Sequence, residues 1–192
     1  MNLFTKIIIN KISFSKYLSL ILLTLLSATF VTSCHTSRHS ASKSRYERRK
    51  EHNKEISNIH FDGSNKRGKR VAQEAKDWLG TPYKYASGDK GKGSDCSGMV
   101  MSVYETVTGI KLPRNSAQQA AFCKEIDSSA LRIGDLCFFA TGKDPNKISH
   151  VGIMLDEKNF IHASTSKGVV ISDITTPYYT RTFIQFGRVP EK

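Results

Sequence analysis

The sequence predicts an α+β domain in which N-terminal helices pack on an antiparallel β-sheet. Apolar residues recur at helical spacing in the first half of the domain, between residues 69 and 120. From residue 136 to residue 189, short apolar runs alternate with turns rich in Gly, Asp, Pro and Ser, which is the pattern of strands joined by hairpins. Helices that precede strands in this order indicate an α+β class.

The predicted helices have recognisable ends. The first spans residues 69–79 and ends at Gly80. The second begins near Cys96, because Asp95 is a favourable N-cap residue, and it ends at Gly109. A short third helix follows the turn at Asn115. The predicted strands lie at residues 136–140, 150–155, 159–163, 169–174 and 183–189.

The first 33 residues have the layout of a signal peptide. Three lysines precede an apolar run at residues 18–31, which is too short to span a membrane comfortably. The run ends in Val31-Thr32-Ser33-Cys34, which resembles the lipobox of bacterial lipoproteins, where the cysteine becomes the lipidated first residue. The alternative is a buried Cys34 in a signal-anchor helix.

The basic charge lies mainly in the segment that follows. The chain carries a formal charge of +12, yet from Val71 onward there are 15 basic and 13 acidic residues. Residues 34–68 have few apolar side chains and are expected to form a flexible tether. This tether either rests against anionic lipid or cell-wall polymer or is a soluble spacer. The catalytic domain is assigned to residues 69–192. It lacks a basic stripe with interleaved aromatics, which excludes nucleic acid as a partner.

Four cysteines are present. Cys137 lies in a buried-strand pattern and is most simply a small core residue. A disulfide between Cys123 and Cys137 is the alternative. No pair has the CxxC spacing of a zinc site, so we expect neither a metal ion nor a cofactor.

The candidate chemistry centres on a thiol and two imidazoles. Cys96 lies where the second helix begins, and a helix N-terminus favours the thiolate. His150 and His162 lie 12 residues apart on neighbouring strands. If both point to the same face, one can deprotonate the thiol while the other orients the first ring. Each residue alone is more simply a packed or surface side chain. Together they predict a thiol hydrolase.

These residues resemble the NlpC/P60 family of cell-wall cysteine peptidases, which have a reduced papain-like fold. The resemblance is greatest to the small lipoprotein members, the murein endopeptidases. Six segments carry it, in the family order and at near-family spacing: Gly80-Thr81-Pro82-Tyr83, Asp95-Cys96-Ser97-Gly98, Leu112-Pro113-Arg114, Gly134-Asp135-Leu136, His150-Val151-Gly152-Ile153 and His162-Ala163-Ser164.

The resemblance implies roles for the catalytic residues. Cys96 would be the nucleophile, His150 the general base and His162 the group that orients the first imidazole. Tyr83 matches the family tyrosine beside the oxyanion site.

The resemblance also implies a substrate-binding group. Asp95 and Ser97 would lie near the peptide terminus of the substrate. Arg114 is a further candidate, with a plain turn residue as the alternative. The chain departs from the family at Ala86-Ser87-Gly88, where a Gly-Gly pair is frequent, and in the charged loop at residues 141–149.

The expected function is therefore hydrolysis of peptidoglycan. A monomeric enzyme, lipid-anchored and facing the periplasm from the outer membrane, would cleave murein stem peptides or peptide cross-links. It would act through a Cys-His-His triad and a thioester intermediate. One alternative is an inactive wall-binding lipoprotein. The other is an amidase or acyltransferase on the same fold. The sequence leaves open which peptide bond is cleaved.

Overall fold

The computed structural model describes residues 64–191. The predicted signal peptide, Cys34 and most of the predicted tether therefore lie outside the described residues. Within the described part, no helix is both long and apolar enough to cross a membrane. Four α-helices and one short 3-10 helix (Ser128–Ala130) are present there. The α-helices are α1 (Lys66–Lys76), α2 (Cys96–Thr108), α3 (Ser116–Phe122) and α4 (Pro177–Thr182).

Helix α1 starts inside the segment assigned to the tether. It begins at Lys66, three residues before the predicted start, because the side chain of Asn65 accepts a hydrogen bond from the Gly68 N–H at 3.1 Å. Gly68 also packs against backbone: a Cβ at this position would lie 1.8 Å from the carbonyl oxygen of Ile133. Charge and low apolar content suggested a tether here, but the cap and this close contact extend the helix.

Helix α2 presents Cys96 as its first residue. Asp95 is the N-cap, and its Oδ1 accepts a hydrogen bond from the Gly98 N–H at 2.8 Å. Gly109 ends the helix in the left-handed conformation, with φ 67°, where glycine avoids a Cβ clash. Met99, three residues after Cys96, is fully buried. The predicted helix, its cap and its end are confirmed.

The strands form an antiparallel sheet of six and a small hairpin. Their bounds are β1 (Gly88–Asp89), β2 (Gly93–Ser94), β3 (Lys124–Ile126), β4 (Leu136–Phe139), β5 (His150–Met154), β6 (Asn159–Ser164), β7 (Gly168–Asp173) and β8 (Phe183–Arg188). The order in the large sheet is β3-β8-β4-β5-β6-β7, and every neighbouring pair is antiparallel. The α+β prediction is confirmed.

Four features were not predicted: the hairpin β1–β2, the edge strand β3, the 3-10 helix at Ser128–Ala130 and helix α4. Their elements contain two, three, three and six residues respectively, which is too short for a hydrophobic period to show. Each is held by contacts with distant parts of the chain, as where Lys124 in β3 pairs with Arg188 in β8.

The sheet has two differently packed faces. One face packs against α1 and α2 and forms the helical-face cluster, which includes Met99, Val103, Val151, Ile161 and Val169. The other forms the aromatic-face cluster, which includes Phe139, Met154, Phe160, Phe183 and Phe186. Because side chains alternate along a strand, His150 and His162 lie on the aromatic face.

Strands β5 and β6 are paired only at one end. Ile153 pairs with Ile161 and Met154 with Phe160, and the register ends there. Towards His150 and His162 the two strands are no longer paired, and the side chains of these histidines meet across the gap. The hairpin thus brings the two imidazoles together without requiring them to be ladder partners.

The two remaining cysteines of the domain are not bonded to each other. Cys123 and Cys137 are both free. Cys123 packs against the helical-face cluster, whereas Cys137 is buried in the aromatic-face cluster, so the sheet separates the two sulfurs. The disulfide considered from the sequence does not form.

Candidate active site

The thiol of Cys96 is partly buried at the N-terminus of α2. Burial raises its pKa, and the negative charge of Asp95 adds to this effect. Hydrogen bonds from backbone N–H groups, foremost that of Val151, act in the opposite direction but do not outweigh burial. The helix terminus therefore favours the thiolate as expected, while desolvation keeps the resting sulfur protonated. The contact with Val151 places the thiol beside the residue that follows His150.

The two histidines form a direct hydrogen bond. His150 Nε2 and His162 Nδ1 are 2.9 Å apart, and the rings meet edge to face. Burial and the charge of His162 lower the pKa of His150 to about 3. Burial lowers the pKa of His162 to about 4. Both rings are thus neutral at pH 7, and Nδ1 of His150 is the ring nitrogen that this bond does not use. The prediction that both histidines share one face is confirmed.

Two hydroxyl groups that the sequence analysis missed complete this chain of contacts. His162 Nε2 lies 3.0 Å from Ser172 Oγ and 3.0 Å from Tyr179 Oη. The Tyr179 hydroxyl is in turn 3.5 Å from Ser172 Oγ. Strand alternation on β7 could have placed Ser172 on the histidine face. Tyr179 lies on α4, for which the sequence has no periodic pattern, so nothing pointed to it.

Tyr83 lies close to the thiol. Its backbone forms a bridge with Ser94, and its ring packs against the helical-face cluster. Burial raises the pKa of its hydroxyl, and the neighbouring Cys96 and Asp95 raise it further. The hydroxyl is therefore a neutral hydrogen-bond donor at pH 7.

Asp95, Ser97 and Arg114 form one cluster on the other side of the thiol. The guanidinium of Arg114 binds both carboxylate oxygens of Asp95, at 2.9 and 2.5 Å, and lies 2.9 Å from Ser97 Oγ. Burial alone would raise the pKa of Asp95, but hydrogen bonds from Arg114 and from the backbone of Gly98 and Ala86 outweigh it and lower the pKa. The side chain of Arg114 is 42% exposed and that of Asp95 only 9%. The cation is thus the accessible member of this pair.

A buried glutamine fixes the turn that carries Arg114. Its role was not predicted from the sequence. Gln119 on α3 is fully buried, and its Nε2 donates hydrogen bonds to the carbonyl oxygens of Ser97 and Pro113, both at 2.9 Å. These bonds tie the turn to the start of α2. Arg114 is therefore held next to the nucleophile candidate by a residue that is near it in the sequence but far from Cys96.

Ala86 explains one departure from the family pattern. It adopts φ 58°, a conformation that favours glycine, at the place where the family frequently has a Gly-Gly pair. Its N–H donates a 2.8 Å hydrogen bond to Asp95 Oδ2, which holds the strained residue in place. The loop thus keeps the left-handed turn without glycine.

A polar cleft of about 460 Å³ lies against the histidine pair. Hydroxyl-bearing side chains and one cation line much of it. They include Thr141, Ser164, Lys167, Ser172, Tyr178 and Tyr179. The charged loop that departs from the family pattern therefore contributes to the cleft through Thr141. Among residues 64–191, no group of three or more His, Cys, Asp or Glu side chains is arranged to hold a metal ion.

The structure combines a thiol at a helix N-terminus, hydrogen-bonded to the backbone of Val151, with the preceding residue His150 and a second imidazole that binds its ring. Such groups are the parts needed for nucleophilic attack on a carbonyl carbon. This combination on an α+β fold defines the class of thiol hydrolases. The family model of the NlpC/P60 family matches residues 80–188, so the chain belongs to that family.

Named relatives agree with this membership. The probable endopeptidase NlpC of Escherichia coli K12 is 42% identical over 116 residues, which is 60% of this chain and 74% of that protein. The murein DD-endopeptidase MepS/murein LD-carboxypeptidase of the same organism is 38% identical over 120 residues, 62% of either protein. A solved NlpC/P60 family protein from Bacillus cereus has a TM-score of 0.59 at 31% identity. That match covers 64% of this chain and 40% of the Bacillus chain.

Proposed function

We propose that this chain is a peptidoglycan hydrolase, a cysteine peptidase that acts as a murein endopeptidase. The observation that carries the proposal is the 2.9 Å bond between His150 and His162, together with a thiol at the start of α2 that is hydrogen-bonded to the backbone of Val151, the residue after His150. Family membership and the murein endopeptidase among the relatives support the substrate class. In this proposal Cys96 is the nucleophile, His150 the general base and His162 the residue that orients it.

The proposed reaction begins from a neutral pair. Because burial raises the pKa of Cys96 and lowers that of His150, the proton is on sulfur before attack. His150 Nδ1 takes this proton as the sulfur bonds to the scissile carbonyl carbon. The negative charge that develops on the carbonyl oxygen is stabilised by the Cys96 N–H and the Tyr83 hydroxyl.

The second half of the reaction returns the proton. The His150 imidazolium protonates the amine nitrogen, the C–N bond breaks, and an acyl thioester remains on Cys96. Water, deprotonated by His150, then attacks the thioester and releases a carboxylate and the free thiol. Throughout, the bond to His162 keeps the His150 ring turned towards the sulfur.

The substrate-binding roles follow from the same geometry. Arg114, the accessible member of the cluster, would bind a carboxylate or a backbone carbonyl of the stem peptide. Asp95 would act chiefly through Arg114 and the helix cap, and Ser97 would offer its hydroxyl. Among stem-peptide bonds we propose the cross-link between stems, as the name of the MepS relative suggests.

The test of the catalytic proposal is digestion of purified sacculi by the full chain and by Cys96→Ala. We expect muropeptide release to fall by at least about 1000-fold when the nucleophile is removed. Cys123→Ala is the matched control, since it removes a thiol that packs on the helical face and is expected to keep its activity. Undiminished release by Cys96→Ala would eliminate the proposal.

Defined muropeptides identify the bond. Mass spectrometry of products from a cross-linked dimer and from a single stem separates cross-link cleavage from cleavage within one stem. We expect the dimer to give two monomers. Release of the intact stem peptide from the glycan would indicate an amidase. Formation of new peptide linkages would indicate an acyltransferase. Binding without any product would indicate the inactive wall-binding alternative.

We also propose that the chain is lipid-anchored through Cys34 to the outer membrane and faces the periplasm. The signal-peptide layout and the lipobox-like Val31-Thr32-Ser33-Cys34 support this. Radiolabelled palmitate incorporated into the wild-type chain and not into Cys34→Ser, with label in the outer-membrane fraction, is the expected result. Equal labelling of both chains would contradict it.

A further inference from the structure

His162 differs from His150 in the surroundings of its two ring nitrogens. Its Nδ1 faces the Nε2 of His150, and the ring also has a hydrogen bond with the backbone of Ala163. Its Nε2 faces two hydroxyl oxygens, Ser172 Oγ and Tyr179 Oη, each at 3.0 Å. A neutral imidazole has one N–H and one lone pair, so the groups around it decide which nitrogen carries the proton.

The hydroxyl contacts allow two arrangements, and the proposed base role of His150 requires one of them. If His162 Nε2 carries the proton, that N–H donates to the two hydroxyl oxygens, and the Tyr179 hydroxyl keeps its own hydrogen for Ser172 Oγ, 3.5 Å away. If Nε2 instead carries the lone pair, the Ser172 hydroxyl donates to it, the Tyr179 hydroxyl donates to Ser172 Oγ, and the N–H of His162 points at His150 Nε2. Only the first arrangement leaves His150 Nδ1 able to accept a proton.

We propose that Ser172 and Tyr179 are positioning residues that hold the proton of His162 on Nε2. This inference rests on the proposed function. His162 Nδ1 is then an acceptor and receives a hydrogen bond from His150 Nε2–H. His150 Nδ1 is consequently unprotonated and able to accept the proton of the Cys96 thiol. The opposite arrangement would place a hydrogen on His150 Nδ1, and that ring could not act as the base.

The packing of Tyr179 suits this role. Its ring contacts Phe139 and Phe160 in the aromatic-face cluster, with centroids 5.3 and 4.8 Å away, and it contacts His162 at 5.6 Å. These contacts fix the ring by its apolar part. The hydroxyl can therefore be removed without removing the packing, which makes Tyr179→Phe an interpretable variant.

The experiment compares four full-length variants in muropeptide kinetics: Tyr179→Phe, Ser172→Ala, their combination, and the control Tyr178→Phe. Tyr178 precedes Tyr179, lines the same cleft and is 47% exposed, and no hydrogen bond within residues 64–191 joins it to either histidine. It therefore tests the loss of a phenol hydroxyl that does not contact His162. We expect each site variant to lower kcat about threefold to tenfold, as for the loss of one hydrogen bond. The combination should lower kcat on the order of 100-fold with KM nearly unchanged.

A spectroscopic measurement separates positioning from a structural effect. In the 15N spectrum of histidine-labelled full chain, protonated and unprotonated ring nitrogens resonate far apart. The His162 signals are assigned by their loss in His162→Gln. We expect wild type and Tyr178→Phe to show a protonated Nε2, and the combined variant to shift the proton towards Nδ1. A protonated Nδ1 in the wild-type chain would overturn the inference.

The outcomes distinguish this inference from the proposed function. If Cys96→Ala is inactive while the combined variant matches Tyr178→Phe in kcat, the positioning role is wrong and the proposed function stands. If Cys96→Ala is fully active, the proposed function fails whatever the hydroxyl variants do. A combined variant that loses kcat with an unchanged His162 15N pattern would also refute the positioning role.

Discussion

At the residue scale, burial moves the pKa of Cys96 upwards and that of His150 downwards. Both shifts disfavour charge, so they oppose the thiolate that a helix N-terminus would favour in water. In the proposed mechanism the nucleophile is therefore made at the moment of attack, by proton transfer from Cys96 to His150. It is not stored as an ion pair in the resting protein.

The pH dependence of alkylation tests this at Cys96. We expect the rate of its reaction with iodoacetamide to rise with pH and to reach half its maximum above the ordinary cysteine pKa of about 8.5, because burial raises the thiol pKa. Quantitative mass spectrometry of the Cys96 peptide provides the rate. A rate plateau that extends below pH 6 would show a resting thiolate–imidazolium pair and contradict the expectation.

A second residue-scale prediction concerns Arg114. Arg114→Ala leaves the carboxylate of Asp95, 9% exposed, without its cation, so the free energy of unfolding at pH 7 should fall by about 1–3 kcal/mol. The pKa of Asp95 is lowered in the folded protein. The stabilisation from its ionised carboxylate is therefore present above the pKa of the unfolded chain and is lost as the pH falls through the folded-state pKa. The difference in unfolding free energy between wild type and Arg114→Ala should therefore narrow at acid pH.

Urea unfolding at pH 7 and pH 3 measures both effects. Lys111→Ala, which removes an exposed cation from the same segment, is the control and should change stability by less than about 0.5 kcal/mol. An Arg114→Ala protein as stable as this control would mean that the ion pair with Asp95 contributes nothing.

At the element scale, the start of α2 is fixed by a close contact with the loop before it. A Cβ at Gly98 would lie 2.1 Å from the carbonyl oxygen of Ser87 and 3.1 Å from Asp95 Oδ1. The loop that carries Tyr83 and Ala86 can approach the helix only because position 98 has no side chain. The helix terminus and the oxyanion candidate are thus positioned by the same glycine.

Gly98→Ala tests this placement. Alanine is the better helix former by about 1 kcal/mol, yet we expect the clash with Ser87 to dominate and the free energy of unfolding to fall by about 1–3 kcal/mol. Muropeptide release should fall as well, because Cys96 and Tyr83 move apart. Gly142→Ala, where the nearest atom to the new Cβ is 3.6 Å away, is the matched control. Thermal unfolding in which Gly98→Ala equals or exceeds wild type would refute the argument.

At the scale of the whole molecule, the histidine pair links the fold to pH. His150 and His162 are the two histidines of the described residues, with pKa values lowered to about 3 and about 4. In the unfolded chain both take up protons near pH 6.5. At pH values between the folded-state and the unfolded-state pKa, the unfolded chain binds more protons than the folded protein. Lowering the pH therefore shifts the equilibrium towards unfolding.

We therefore expect stability to fall as the pH drops below about 6.5, by up to about 1.4 kcal/mol per pH unit for each histidine. Chemical denaturation between pH 7 and pH 4.5 measures the slope, in a range above most carboxyl titrations. His162→Gln should roughly halve it. A wild-type stability that is constant over this range would show that the histidines titrate normally in the folded protein.

Much of this organisation could be predicted from local sequence. The cap at Asp95, the glycine after α2 and the alternation along β5 and β6 each act over a few neighbouring residues. Such short-range patterns can be recognised in the amino-acid sequence. The start of α1 at Lys66 was missed although its cap at Asn65 is local, because the contact that holds this turn, between Gly68 and Ile133, joins segments far apart in the chain.

By itself, the sequence determined which groups are present and which elements carry them: a thiol at a helix start and two imidazoles on adjacent strands. Only the tertiary structure decided their state and their partners. The Cys96 thiol and the His150 imidazole are both neutral at rest because the surrounding packing removes them from water. The contacts of His162 with Ser172 and Tyr179, and of Asp95 with Arg114, join residues from separate elements. Long-range packing and burial leave no periodic pattern in the chain, because they arise only when distant segments meet.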